Sequence, residues 1–209
     1  MIAEINHKVS SDLEDELTGN FFGTIRYLPF NRGLYQILKR YVVSDDTQVH
    51  KIISQIDDDD FEIEFWKSSD DHKVEIDCYI GLCQAEIGIE VKYRSKLSGD
   101  NQLEKEAATM LGEWCKSDNR IMLLVAKAEE AKDIYNANKN KTIFKQVHLA
   151  CLSWQDILLG LNNVITINKF EERIVEDLRE LLTQKGFFAF EGFDFDIAEV
   201  RRDVYYDFR

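Results

Sequence analysis

The chain has 209 residues, 44% of them hydrophobic and 11% aromatic, enough for one sizeable domain with a buried core and unlike a disordered segment. Its 39 acidic and 26 basic side chains give a net charge of −13. That balance is poor for binding nucleic acid unaided, because phosphate contacts depend on Lys and Arg.

The opening MIAEINHKVSSDLEDEL lacks the basic and apolar regions of a signal peptide. No apolar run approaches the roughly 20 residues that span a bilayer, so no membrane partner is expected. A single proline, Pro29, and ten glycines mark no interdomain linker, and one domain over residues 1–209 is expected. Cys78, Cys83, Cys115 and Cys151 form no CxxC and no Cys/His cluster, which points to free thiols in a cytoplasmic protein.

Ser10 or Ser11 can cap a helix through DLEDELTGNFFGTIRYL, where Leu13, Leu17 and Phe21 recur four apart behind an acidic first turn. NRGLYQILKRYV predicts a second helix, and DDTQVHKIISQIDDDD a short one ending in solvated acids. Three strands follow closely, FEIEFWK, KVEIDCYIG and AEIGIEVKY, and their short connections predict an antiparallel meander.

Asp100 or Asn101 caps the next predicted helix, running to about Lys116 with Leu103, Ala107, Met110, Leu111 and Trp114 on one stripe. RIMLLVAK and FKQVHLACL read as buried strands around a polar-faced helix, AEEAKDIYNANK. Ser153 starts a short helix. KFEERIVEDLRELLTQKGF predicts an amphipathic helix through Phe170, Ile174, Leu178 and Leu181, stopped by Gly186. The aromatic tail FFAFEGFDFDIAEVRRDVYYDFR reads ambiguously. Strands first, then strand–helix alternation, predict an α/β domain around one mixed sheet.

Three charges interrupt the apolar strands. Period-2 alternation sets Glu75, Asp77 and Tyr79 on one face of their strand and Val74, Ile76, Cys78 and Ile80 on the other. Glu86, Gly88, Glu90 and Lys92 share a face of the next strand. A hairpin symmetric about Leu82 and Cys83 sets Asp77 opposite Gly88, diagonal to Glu90, and Glu75 opposite Glu90. Diagonal Cβ atoms lie about 7 Å apart, a gap that suits a hard cation taking one oxygen from each carboxylate. Magnesium is commonly held this way, by one or two carboxylates plus water and phosphate. Gly88 would leave room for the ion, and an ion or Lys92 would relieve the facing acids. An ordinary solvated sheet face would also explain acids here.

This arrangement resembles the PD-(D/E)XK nuclease superfamily: Asp77 on one strand, Glu90-Val91-Lys92 on the next, then a helix on the sheet. EVKY followed by QLEKE is similar to members in which a glutamine, here Gln102, opens that helix. LEDELT offers Glu14 as the upstream acid, with Asp15 and Glu16 beside it. The resemblance covers about residues 12 to 127, and Ile76 stands where the nominal motif has proline. Asp71-His72-Lys73 and Glu130-Ala131-Lys132 also match acid-x-lysine, but fall on a predicted loop and helix.

The resemblance implies a restriction-endonuclease-like core and Mg²⁺- or Mn²⁺-dependent DNA hydrolysis. Asp77 and Glu90 would hold the ion, with the carbonyl of Val91 a further ligand. Lys92 would orient the attacking water, Gln102 would position that water or a ligand, and Glu14 would complete the acidic shell. The charge of −13 then implies a basic partner chain or oligomer that delivers the DNA, as in a restriction or phage-defence system. The competing expectation is an inactive interaction module whose acidic surface binds a basic protein or mimics DNA. His7, His50, His72 and His148 are scattered, and no phosphate-binding glycine motif is present.

Overall fold

Strands as uniformly apolar as IMLLVA and LACL need cover on both faces, and that need sets the layers. The computed structural model describes residues 13–188, apart from 71, 72, 96, 98, 100, 113 and 115. The predicted caps at Ser10, Ser11 and Asp100 and the tail beyond residue 188 lie outside the described residues.

Among the described residues five strands lie side by side in chain order: β1 Glu62–Ser68, β2 Glu75–Gly81, β3 Glu86–Val91, β4 Arg120–Ala126 and β5 His148–Ser153. The first three form the expected antiparallel meander, while β3–β4 and β4–β5 are parallel. The α-helices among the described residues are α1 Leu13–Ile25, α2 Leu34–Tyr41, α3 Thr47–Gln55, α4 Gln102–Gly112, α5 Ala128–Asn138, α6 Trp154–Gly160 and α7 Lys169–Gln184. Among the described residues no helix is long and apolar enough to cross a membrane.

One sheet face, carrying Cys78, Ile87, Ile89, Val91, Leu123 and Val125, packs under α1, α2, α3, α6 and α7. The opposite face, carrying Tyr79, Met122, Leu124 and Cys151, packs under α4 and α5. Every residue of β3 and β4 is consequently buried. β5 is bridged on its open side by Val43, whose amide and carbonyl both pair with Cys151 at 2.9 Å. Cys78, Cys83 and Cys151 carry free thiols.

Several elements differ from the sequence expectation. The predicted strand FKQVHLACL begins only at His148, because Thr142–Lys145 forms a 3₁₀ turn. α4 stops at Gly112 rather than Lys116, so the chain can turn into β4; Trp114 still packs, edge-on to Tyr79 at 5.5 Å. On α7 the buried stripe is Ile174, Val175, Leu178 and Leu182, whereas Phe170 is 70% exposed. The helix meets α1 one residue around from the predicted stripe.

The β2–β3 register also differs. Tyr79 pairs with Gly88 and Cys78 with Ile89, because the turn spans Leu82 to Ala85 and is closed by the Leu82 amide donating to the Ala85 carbonyl at 2.9 Å. Continuing that register sets Asp77 directly against Glu90, and Glu75 does not face Glu90. A slip of two residues keeps every side chain on its face, so the shared face survives the wrong turn centre.

Strict alternation, by contrast, fails at Asp77. The β1–β2 register omits the Trp66–Asp77 pair, and Trp66 has φ of 49°, a left-handed backbone unusual for a bulky residue. Beyond this point both strands turn over together. Ile76 packs with Tyr79 and Met110 rather than with Cys78, and Lys67 shares a side with Glu64, 2.7 Å away. Asp77 sits at the break.

Gly88 does not make room for an ion. A Cβ there would lie 2.6 Å from Met110 Sδ and 3.3 Å from Ile76 Cδ1, so the glycine lets α4 close on the sheet. Gly88→Val should destabilise the fold by about 1–3 kcal/mol, because overpacking forces side chains off their rotamers. Met110→Ala should recover part of that loss in a urea-unfolding double-mutant cycle. Additive losses would show that Gly88 and Met110 do not compete for this space.

Candidate functional site

The ends of several elements meet at one edge of the sheet: the start of β2, the end of β3, and the first turns of α1 and α4. They surround a cleft of about 560 Å³ lined by Glu14, Glu75, Asp77, Glu90 and Glu106 against Lys73, Lys92 and Lys105. In α/β sheets this carboxyl edge of the parallel strands is where ligands are bound.

Lys92 stands at the centre, one residue past β3, with its side chain only 4% exposed. Its ammonium is 2.7 Å from Glu90 Oε1 and 3.0 Å from Glu14 Oε1. Glu14, in the first turn of α1, accepts at its other oxygen from the Tyr93 amide at 2.7 Å and from the Ser95 hydroxyl. Both Glu14 oxygens are therefore engaged, and its role is to hold Lys92 and the chain leaving β3.

Gln102 opens α4 and donates its side-chain amide to Glu90 Oε1 at 2.6 Å. Glu90 is 1% exposed; its Oε1 accepts from both Lys92 and Gln102, while Oε2 has no hydrogen-bond partner. Asp77 Oδ2 accepts from the Val91 amide at 2.8 Å. That bond takes the place of a regular ladder pair at the break, and fixes the Asp77 carboxylate against the end of β3. Val91 itself points into the core.

Charge is crowded here. Burial and the neighbouring Glu90 carboxylate raise the Asp77 pKa well above the usual range, although the Val91 amide pulls the other way. Burial, then Glu106, push Glu90 up to about 8. Burial opposes the Lys92 ammonium, but Glu90, Glu14 and Asp77 outweigh it and raise its pKa.

The structure thus brings Asp77, Glu90 and Lys92, which alternation sets on one patch, together with Gln102 and Glu14 at one cleft. Glu90 and Lys92 are buried, not on a solvated face, because α4 covers that side of the sheet. Glu75 stays exposed at the rim, accepting from Ser68 at 3.2 Å. Glu130-Ala131-Lys132 lies on α5, as expected.

Sequence reasoning missed Glu106. It lies one helical turn after Gln102, is 1% exposed and lines the cleft. Burial and the Asp77 charge push its carboxyl up to about 8. The signal was present in QLEKE: Gln102 and Glu106 are four apart, hence on one face of the helix. They flank Leu103 and Ala107, which pack against the sheet.

Among the described residues no three His, Cys, Asp or Glu side chains are already gathered as a metal-holding group. Asp77 and Glu90 are instead turned towards nitrogen donors. The donor set still suits a hard divalent ion, with carboxylate oxygens of Glu90 and Glu106 buried and unpartnered. Comparison with protein-family models, curated proteins and solved structures finds no match in any of the three.

Proposed function

We propose that the protein is a metal-dependent nuclease with a restriction-endonuclease-like core, acting on DNA through the cleft at Asp77, Glu90 and Lys92. The observation that carries this reading is the buried Lys92 ammonium beside a carboxylate whose second oxygen is left for a ligand. Burying a carboxylate oxygen that no donor meets is costly, so a bound cation gives the arrangement a reason.

Asp77 and Glu90 would hold Mg²⁺ or Mn²⁺, with the Val91 carbonyl as a further ligand. When bound, such an ion supplies positive charge at a phosphoryl oxygen and makes water more acidic. Gln102, donating to Glu90 Oε1, fixes the plane of the Glu90 carboxylate. Glu14 holds Lys92, whose ammonium donates to the attacking water and stabilises charge that develops on phosphate. The net charge of −13 is poor for holding a DNA backbone, so a basic partner chain or oligomer would deliver the substrate.

The test is cleavage of plasmid DNA by the purified protein in Mn²⁺, with and without the partner. Asp77→Asn and Glu90→Gln should each lower the rate at least about a hundredfold, the scale of losing a group that acts in the transition state. Equal nicking by wild type and Glu90→Gln would remove this assignment. The alternative, an inactive interaction module, is favoured by the carboxylates being turned to nitrogen donors. It would bind a basic protein with no need for metal.

A further inference from the structure

Resting on the metal reading above, we propose that Glu106 is a cation ligand in its own right, so that the bound ion ties helix α4 to the sheet. α4 buries Leu103, Ala107, Met110 and Glu106. A carboxylate among those apolar groups is an expensive choice unless something pairs with it. Glu106 lies within hydrogen-bonding reach of Gln102 and Glu90, yet its Oε2 has no partner.

With both groups ionised, as ligands must be, Glu90 Oε2 and Glu106 Oε2 are two buried oxygens of the same kind that meet no donor along one cleft. Glu14, the acid the motif suggests, has both oxygens already engaged by Lys92, Tyr93 and Ser95. Asp77, Glu90 and Glu106 supply hard oxygen donors from β2, β3 and α4 respectively, which is the chemistry of Mg²⁺ or Mn²⁺. A purely architectural role for Glu106 differs in one respect. A neutral carboxyl bonded to Gln102 and Glu90 would dock α4 equally well as a glutamine.

The experiment is thermal melting of the whole chain in MnCl₂ and in NaCl of matched ionic strength, with Mn²⁺ affinity read by calorimetry. Wild type, Glu106→Gln, Glu106→Ala, Asp77→Asn and Glu104→Gln are compared. Glu104, on the same helix and paired with Lys141 at 2.7 Å, controls for lost charge. Because Glu106→Gln keeps a hydrogen-bonding side chain and removes a buried acid, it should melt in NaCl no lower than wild type. Its Mn²⁺ affinity should fall on the order of tenfold or more, and its Mn²⁺-specific melting increment should disappear, as in Asp77→Asn. Glu104→Gln should keep both. If Glu106→Gln does not fold, Glu106→Ala gives the same reading. An increment kept in the Glu106 variants but lost in Asp77→Asn overturns the role of Glu106 and leaves the metal reading standing. No Mn²⁺-specific increment in wild type overturns both.

Discussion

Lys92→Ala is expected to unfold the protein more readily by about 3–5 kcal/mol at pH 8, the scale of stripping one partner from a buried ion pair. From its place in the sequence alone, a lysine just past the end of a strand would be a mild substitution. Here the ammonium is 4% exposed and is shared between Glu90 and Glu14, with Asp77 beside them. Removing it leaves carboxylates facing each other without a cation. For a chain of this size the change corresponds to a melting shift on the order of ten degrees. The loss should shrink near pH 5.5, where Glu90 and Glu106, both pushed to about 8, hold protons and no longer repel. Lys105→Ala, at the same cleft but exposed, should change stability by no more than about 0.5 kcal/mol. Urea unfolding of both variants at the two pH values measures this. Lys92→Ala as stable as wild type at pH 8 would mean that the ammonium does not hold the acids together.

A second large effect should appear as pH dependence in the absence of divalent ions. Glu90 and Glu106 have folded-state pKa values of about 8 against an ordinary 4.5, and Asp77 is raised as well. Between those limits the folded chain binds more protons than the unfolded chain, so stability falls as pH rises. It is greatest at the acid end of the window and declines through pH 8. The carboxylates of Asp46 and Glu171 have lowered pKa values and act below this window. Urea unfolding from pH 5.5 to 8.5 should therefore show a decline that Glu90→Gln and Glu106→Gln flatten. Added Mn²⁺ should stabilise more at pH 8.5 than at 5.5, because a carboxylate must lose its proton to ligate. A wild-type profile that is level across this range, or variants with the wild-type slope, would contradict the crowding of acids.

The alternation of β3, the fully apolar β4 and the spacing of α4 are legible in the residues alone. Those are local patterns, and they sufficed for the α/β layers, the meander and the shared face of Asp77, Glu90 and Lys92. Even the misplaced turn centre did no harm to that face, because the slip was two residues. How deeply the charges are buried, and which acids remain available, depend on contacts between distant segments. Alternation cannot show that α4 lies over Gly88 and seals Glu90 beneath it. Nor can it show the reversal at Trp66 and Asp77, where two strands turn over together and the Val91 amide captures a carboxylate. Glu14 matched a motif and became a clamp on Lys92, since its oxygens meet three donors from the chain after β3. Glu106 matched nothing and kept a buried oxygen without a partner. Hydrogen-bond saturation depends on which groups meet across the fold, and no spacing within one segment encodes it.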